Sequence, residues 1–223
     1  MSTSTDQKAR AVLKQLLQDK DLARFVNADI PLSTAYCGSS EIKLIVLGQD
    51  PTIKNASGRA QITIALNLRG YGALWNYLAG ICKGLQLDLR QHVYATNYYK
   101  NFFIRPPTQI DEINIFERFA DRWLPLLQDE ISQFNNVPII SLGQPLLSAL
   151  VRNGASPLVR DYWGYTPDWK EGKRRPYRFL RPDENVLGRL IFPFPHQPSI
   201  RKQFYRERLM SYTAFVKRVM HGK

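Results

Sequence analysis

Three side chains that could act together in catalysis each follow an apolar run of the sequence. Asp50 comes two residues after the run LIVLG, Asn97 closes VYATN, and His196 follows IFPFP. Each has an ordinary structural interpretation by itself, because Asp-Pro commonly starts a turn, an asparagine can cap a segment and a lone histidine is often structural. Their shared position after apolar runs favours a common site.

A carboxylate, a carboxamide and an imidazole together suit the cleavage of an N-glycosidic bond. The sugar carbon becomes cationic in the transition state, so a carboxylate such as Asp50 can stabilise it and orient the attacking water. The departing base carries negative charge, which a histidine N–H such as that of His196 can stabilise. The amide of Asn97 can donate and accept at once, and can therefore read the hydrogen-bonding edge of a base.

The elements that must position these residues are strands alternating with helices. Short apolar runs rich in β-branched residues predict buried strands at residues 42–47, 93–96, 137–142 and 190–194. Apolar residues at helical spacing predict helices at residues 7–28, 74–85, 112–134, 145–152 and 202–220. This alternation predicts an α/β fold, a three-layer α/β/α domain around a central four-stranded, mostly parallel sheet. Such folds bind ligands outside the carboxyl ends of the strands, where Asp50, Asn97 and His196 are predicted to lie.

The chain length suits one domain. With 223 residues, we expect a single unit spanning residues 1–223, since two full domains would be cramped. Residues 1–28 are expected to form an N-terminal helical segment. Residues 153–188 are polar, basic and interrupted by glycine and proline, so they predict an irregular excursion from the sheet.

The charge of the chain indicates its partner. Lys and Arg number 31 against 19 Asp and Glu, which gives a net charge of +12 and an isoelectric point near 9.8. Six basic residues fall in residues 170–181 and seven in residues 201–223. A polyanion, most commonly nucleic acid, is the expected partner; a basic surface that serves only solubility is the alternative.

Several other classes of protein are disfavoured. No apolar run approaches the roughly 18 residues of a membrane span, and the N-terminus lacks the apolar core of a signal peptide. We therefore expect a cytoplasmic (nucleoid) or nuclear location, without membrane association. Cys37 and Cys82 form no CxxC pair and the three histidines are scattered, so no metal and no cofactor is expected. The P-loop and GxSxG motifs are absent as well.

Four segments resemble the motifs of the uracil-DNA glycosylase superfamily, in the same order and at similar spacing. LGQDP at residues 47–51 is similar to the water-activating motif Gly-Gln-Asp-Pro-Tyr-His, and PHQPSIR at residues 195–201 to the motif His-Pro-Ser-Pro-Leu-Ser. YATN at residues 94–97 stands where the family has a strand that ends in its base-reading asparagine. ISLGQPLLSAL at residues 140–150 resembles the third strand and the start of its helix. The resemblance covers residues 42 to about 215.

The resemblance implies a role for each matching residue. Asp50 would activate the water and stabilise the cationic sugar, Asn97 would read the uracil edge, and His196 would donate to the leaving base. Gln49 would contact the base. Ile200 would take the place of the family's leucine wedge, which fills the gap left by a flipped nucleotide. The implied phosphate contacts are Ser199, Arg201 and Lys202.

The chain departs from the family pattern in four places. Thr52 stands where the family has the tyrosine that excludes the 5-methyl group of thymine, so strict selection of uracil is not implied, and Ile53 stands where the family has the following histidine. ITIALNL, at residues 62–68, lacks the phenylalanine on which the family stacks uracil, and Leu66 or Asn67 stands near that place. The histidine loop reads His-Gln-Pro-Ser. These departures indicate a divergent member.

We therefore expect a monomeric, metal-independent DNA glycosylase. It would flip a uracil or related deaminated base out of single- or double-stranded DNA and hydrolyse the glycosidic bond, as in base excision repair. The alternative is a non-catalytic nucleic-acid-binding module that keeps the glycosylase fold. An enzyme acting on free nucleosides is disfavoured by the charge of +12. The aromatic segment at residues 97–107 has two open interpretations, stacking on bases or packing in the core.

Overall fold

The computed structural model describes residues 3–222 and contains a five-stranded sheet flanked by helices. In chain order the elements are α1 (Thr3–Gln18), β1 (Tyr36–Cys37), β2 (Leu44–Gly48), α2 (Ala73–Gly84), α3 (Leu89–His92), β3 (Val93–Asn97), α4 (Ile115–Ser132), β4 (Ile139–Leu142), α5 (Gln144–Leu150), α6 (Val159–Tyr162), β5 (Ile191–Phe194) and α7 (Gln203–Met220). Short 3-10 turns occur between them, including Ala56–Gln61, Ala65–Asn67 and Gln197–Arg201. The α/β class predicted from the sequence is confirmed.

The sheet has the strand order β1-β3-β2-β4-β5, with β2 at its centre. The strands β2 to β5 pair in parallel, and β1 is antiparallel to β3. The four parallel strands are the ones predicted from the apolar runs. The prediction of a four-stranded sheet was wrong by one strand, because β1 has only two residues, Tyr36 and Cys37, too few for a recognisable period.

Both faces of the parallel strands are buried, as their continuous apolar sequences require. The register pairs Gly48 with Asn97 and places Thr96 beside Leu47, so Asn97 and Thr96 point to opposite faces. On the Thr96 face lies α4, with α1 packed against it. On the Asn97 face lies α7, with α2 packed against it.

The chain changes direction across the sheet after β3. It runs from the central strand β2 through α2 to its neighbour β3, and then returns through α4 to β4, the neighbour of β2 on its other side. Because α2 and α4 lie on opposite faces, the loops that follow β2 and β3 diverge. Open α/β sheets bind their ligands at such a point, and the residues that stand here are those following Gly48 and closing β3.

The N-terminal helix is shorter than the predicted 7–28 at its C-terminal end. It ends at Gln18, and residues 19–28 continue as turns and one short 3-10 segment. The Asp19 carboxylate accepts hydrogen bonds from the backbone N–H groups of Asp21 and Leu22 at 3.0 and 3.3 Å. This local side-chain bonding replaces the helical pattern and ends the helix.

The irregular excursion at residues 153–188 covers the outer edge of the sheet. Trp163 is fully buried and donates its indole N–H to the carbonyl of Pro193 in β5 at 2.8 Å. Leu180 forms an antiparallel bridge with Ile191 of the same strand. The excursion therefore protects β5, which would otherwise present an open edge.

The aromatic segment at residues 97–107 packs in the core. Tyr98, Tyr99, Phe102 and Phe103 are all fully buried. These four side chains are thus part of the support under the sheet edge, and the interpretation that they stack on bases was wrong. Within residues 3–222, none of the helices combines the length and the apolar character that crossing a membrane requires.

Candidate active site

Asp50 lies just beyond β2 in a tight turn that its own carboxylate closes. Its Oδ1 accepts the backbone N–H of Thr52 at 2.7 Å, and its Oδ2 accepts Nε2 of Gln49 at 2.9 Å. A bond from an aspartate to the N–H two residues on is the usual reason for Asp in a turn, and Pro51 fixes the backbone between them. The turn and catalytic interpretations are compatible, because the bonds that form the turn also hold the carboxylate still.

Burial raises the pKa of Asp50 to about 6, because apolar surroundings disfavour the ionised form. The hydrogen bonds from Thr52 and Gln49 and the positive charge of Arg59 act in the opposite direction. At neutral pH the carboxylate is mostly ionised, and the residue is half-buried. Such a group is suited to act as a base or to stabilise a cation.

Arg59 fixes the loop that follows Asp50, and sequence reasoning missed it. Its buried side chain donates from Nε to the carbonyl of Ile53 at 2.8 Å, and from Nη1 to the carbonyls of Phe103 and Ile104 at 3.3 and 2.7 Å. The arginine thus ties this loop to the chain beyond β3. An arginine in a polar run such as NASGR is typical of an exposed surface loop, so the sequence did not indicate that Arg59 is buried.

Thr52 joins the Asp50 turn to the same part of the chain. Its backbone N–H binds Asp50, and its hydroxyl accepts the N–H of Phe103 at 2.8 Å. Thr52, which stands where the family has its thymine-excluding tyrosine, is therefore a small, half-buried residue whose hydrogen bonds hold the turn.

Asn97 is the most deeply buried of the predicted site residues. Its side chain is about 1% exposed, and neither its amide nitrogen nor its amide oxygen has a hydrogen-bond partner among the described residues. A buried unpaired polar atom costs about 1–3 kcal/mol. Such an uncompensated cost requires an explanation, and binding of a ligand is one that fits a group able to donate and accept together.

Gly48 brings Asn97 and Leu66 together. A Cβ built on Gly48 would lie 2.5 Å from Oδ1 of Asn97 and 2.4 Å from Cδ2 of Leu66. Both side chains therefore lie directly over the glycine, where no larger residue fits. Sequence reasoning treated Gly48 only as the end of a strand, because a close approach of this kind is a tertiary property.

The turn at Leu66 has an unusual backbone. Leu66 and Asn67 have φ angles of +57° and +51°, a left-handed conformation that costs a non-glycine residue about 1–3 kcal/mol. This turn directs the Leu66 side chain onto Gly48 beside Asn97. Of the two residues that stand near the place of the family's stacking phenylalanine, Leu66 is the one that lies over Gly48.

His196 lies just beyond β5, packed against the turn after β4. Its Cβ is 3.4 Å from the point that a Cβ on Gly143 would occupy, and Gly143 has a φ of +93° that favours glycine. Two hydrogen bonds fix the backbone here. The Ser199 N–H donates to the His196 carbonyl at 2.7 Å. The Tyr77 hydroxyl donates to the carbonyl of the preceding residue, Pro195, at 3.1 Å. The imidazole is exposed on its free side, and desolvation on the other lowers its pKa from 6.5. At pH 7 it is neutral and can donate one N–H.

Asp50, Asn97 and His196 thus stand at one edge of the sheet. Asp50 and Asn97 follow neighbouring strands, tied together by Tyr98 N–H donating to the carbonyl of Gly48 at 2.9 Å. His196 follows β5, which β4 separates from β2. The axes of β2 and β5 are therefore two strand spacings, about 10 Å, apart.

No protein-family model matches the chain, and no curated protein is detectably similar to it. The resemblance to uracil-DNA glycosylases therefore rests on the sequence motifs alone.

The residues implied in DNA contact lie between β5 and α7. Ser199 and Ile200 are half-buried in the 3-10 turn Gln197–Arg201, with Ile200 packed against the core. Arg201 and Lys202 are exposed beside them. Two positive charges and one apolar side chain therefore stand next to His196 at the same edge.

A separate cavity of about 600 Å³ lies at the opposite end of the sheet. Its lining includes Trp75, Lys83 and Arg90, and none of the predicted site residues. Across residues 3–222, no group of three or more His, Cys, Asp or Glu side chains is placed to hold a metal ion.

Proposed function

We propose that the protein is a DNA glycosylase of the uracil-DNA glycosylase type, which hydrolyses the N-glycosidic bond of uracil or a related deaminated base. The observation that carries the proposal is Asn97, a fully buried carboxamide with both polar atoms unpaired. Asn97 closes β3, the strand paired with β2, and Asp50, whose pKa is raised to about 6, follows β2 at the same edge of the sheet. A donor and an acceptor in a dry site are what the reading of a base edge requires.

In this proposal Asp50 orients the attacking water and stabilises the cationic sugar. Because Thr52 and Gln49 already hold its two oxygens, the carboxylate needs no reorganisation as charge develops. His196 is neutral and donates its N–H to the departing base, whose negative charge it stabilises.

The DNA is held by the segment that follows His196. Ile200 would fill the gap left by the flipped nucleotide, which offsets part of an unstacking cost of a few kcal/mol. Phosphate contacts would come from Ser199, Arg201 and Lys202. The protein would act as a monomer without a cofactor.

Leu66 controls access to Asn97 in this proposal. It packs over Gly48 against the buried amide, so it must shift when a base enters and then lies against the base. Its strained backbone lowers the free energy needed to leave the observed conformation. Because residue 52 is threonine and has no aromatic ring that would exclude the 5-methyl group of thymine, thymine opposite guanine is also among the substrates to be tested.

Cleavage of defined oligonucleotides tests the proposal. The wild-type protein is incubated with single- and double-stranded DNA carrying uracil, hypoxanthine, xanthine or a mismatched thymine, and abasic sites are then cleaved with alkali. Cleavage at one or more of these bases is expected. Salt-dependent DNA binding without cleavage of any of them would instead support the alternative of a non-catalytic binding module.

The pH dependence of base release should report the ionisation of Asp50. With a pKa of about 6, the reactive carboxylate is lost as the pH falls, so the rate should level off above about pH 7 and fall about tenfold per unit below about pH 5. Single-turnover rates between pH 4.5 and 8.5 give this profile. His196→Gln, which keeps an N–H donor, should be slower yet retain the same acid limb; a limb centred near pH 4 would contradict the assignment.

Gly48→Ala should disable the site while leaving the fold in place. The added methyl group would lie 2.5 Å from Asn97 Oδ1, so the amide must move. We expect a loss of about 1–3 kcal/mol in stability and a loss of base release of about 10²-fold. Gly80→Ala in α2 is the control, because no atom lies within 4 Å of its added methyl group. Wild-type base release by Gly48→Ala would exclude a role for this contact.

A further inference from the structure

Residues 164–175 form a closed loop rich in positive charge, here called the basic loop. Arg175 N–H donates to the carbonyl of Gly164 at 3.2 Å and closes it. Gly164 has a φ of +72°, and a Cβ on it would lie 2.4 Å from the carbonyl oxygen of Arg175, so only glycine fits. Inside the loop the Thr166 hydroxyl donates to the carbonyl of Lys173 at 2.8 Å. The loop is a defined structure and not a loose insertion.

The basic loop reaches the same edge of the sheet as His196. Leu180 pairs antiparallel with Ile191, so the chain before Leu180 runs toward the carboxyl end of β5. Arg175 precedes Leu180 by five residues and His196 follows Ile191 by five. The basic loop therefore lies toward the carboxyl end of β5.

Aromatic packing fixes the basic loop to the start of α7. The rings of Tyr165 and Trp169 pack on Phe204 with centroids 5.2 and 5.4 Å apart. The guanidinium of Arg208 lies 5.2 Å from the Trp169 ring and 4.3 Å from the Phe204 ring. Because α7 begins directly after Lys202, the basic loop and the turn that carries Ile200 flank the same helix end.

Positive charge on the basic loop is left without acidic partners. Lys170, Arg174 and Arg175 are exposed, and none of them forms an ion pair with any residue in the described range 3–222. Lys173 differs, since it pairs with Asp168 and Glu171.

Arg208 adds a buried charge beneath this surface. It is about 2% exposed, and its Nε and Nη2 atoms have no hydrogen-bond partner among the described residues. Desolvation, followed by the nearby positive charge of Arg174, lowers its pKa. Arg208 forms no ion pair within residues 3–222, although Glu207 acts on its pKa in the opposite direction, and with Arg174 nearby it adds positive charge to this part of the surface, which favours an anionic partner.

We propose that the basic loop is a second DNA-contact element, which binds backbone phosphates beside the flipped nucleotide through Lys170, Arg174 and Arg175. The inference rests on the proposed function, since it assigns the anion to the DNA substrate of that site. The contacts are made to phosphates, so they increase affinity for DNA of any sequence and do not read the target base.

A triple variant of the loop tests this inference in the full-length chain. Lys170→Ala, Arg174→Ala and Arg175→Ala are combined, and binding of a uracil-free duplex is measured by fluorescence anisotropy at several salt concentrations. The slope of log affinity against log salt should fall in magnitude by about 2–3, and affinity near 100 mM salt by about tenfold or more. The matched control combines Arg10→Ala, Lys14→Ala and Lys20→Ala, which removes three exposed positive charges from the region of α1. This control should keep the wild-type slope to within about one unit.

The possible results distinguish failure of the loop inference from failure of the proposed function. If the wild type releases base from DNA but the loop variant binds like the control, the loop inference fails and the proposed function stands. If the wild type neither binds DNA nor releases base, both fail. If the loop variant loses affinity for RNA of equal length but not for DNA, the loop belongs to another partner and the inference is overturned.

Discussion

Asp50→Asn is expected to slow base release by about 10²–10⁴-fold while leaving DNA affinity unchanged. The substitution removes the negative charge that stabilises the cationic sugar and the base that orients water, but keeps the shape of the side chain. The Asn oxygen can still accept the N–H of Thr52, so the turn is retained. Single-turnover base release and duplex binding, measured on the same preparation, give the two quantities.

The same variant should be more stable than the wild type at neutral pH. The pKa of Asp50 is higher in the folded protein, about 6, than the ordinary value of 3.8. Its contribution to stability is therefore fully present below pH 3.8 and is lost as the pH rises through 6. The loss amounts to about 3 kcal/mol, which Asp50→Asn avoids. Denaturant unfolding should show the variant gaining on the wild type between pH 4 and pH 7.5; lower stability at pH 7.5, with full activity, would refute a catalytic Asp50.

Asn97→Leu is expected to reduce base release by about 10²-fold or more. Leucine has nearly the shape of asparagine but cannot pair with a base edge, and sites built to form such bonds discriminate strongly when a bond is missing. Stability should be unchanged or raised by about 1–3 kcal/mol, because the substitution removes two buried unpaired atoms. Thermal unfolding and base release are the measurements.

Asn101→Leu is the matched control for that experiment. Asn101 is also buried, but its oxygen accepts the indole N–H of Trp123 at 2.9 Å. Leucine here leaves the indole unpaired and should cost about 1–3 kcal/mol. The expected pattern is a loss of stability in Asn101→Leu and no loss in Asn97→Leu. Equal destabilisation would indicate that Asn97 is a structural residue.

The apolar runs sufficed to predict the four parallel strands because each is buried on both faces. The point at which α1 ends could not be predicted, since it depends on backbone bonds to Asp19. The left-handed φ of Leu66 was equally hidden, because leucine rarely adopts it and only the packing on Gly48 requires it.

Buried charge was the main property that the sequence could not reveal. Arg59 lies in a run typical of a surface loop, yet it is buried and bound to three carbonyls. Lys100 falls in an aromatic segment that fitted DNA stacking, yet it is buried in an ion pair with Glu130 and also donates to the Thr96 hydroxyl. Whether a charge finds partners inside the fold depends on tertiary contacts. The positions of Asp50, Asn97 and His196 along the fold were more predictable, because parallel strands have their carboxyl ends at one edge of the sheet.

The central claim is that Asp50 and Asn97 serve one reaction, the hydrolytic release of a base from DNA. The most direct measurement is mass spectrometry of the free base released by the wild type, Asp50→Asn and Asn97→Leu side by side, from duplexes carrying uracil, hypoxanthine, xanthine or mismatched thymine. With the wild type we predict stoichiometric free base and abasic DNA for at least one of these duplexes, and with either variant a rate of release from that duplex at least about 10²-fold lower. Release at the same rate by all three proteins, or release from none of the duplexes while they are fully bound, would contradict the account.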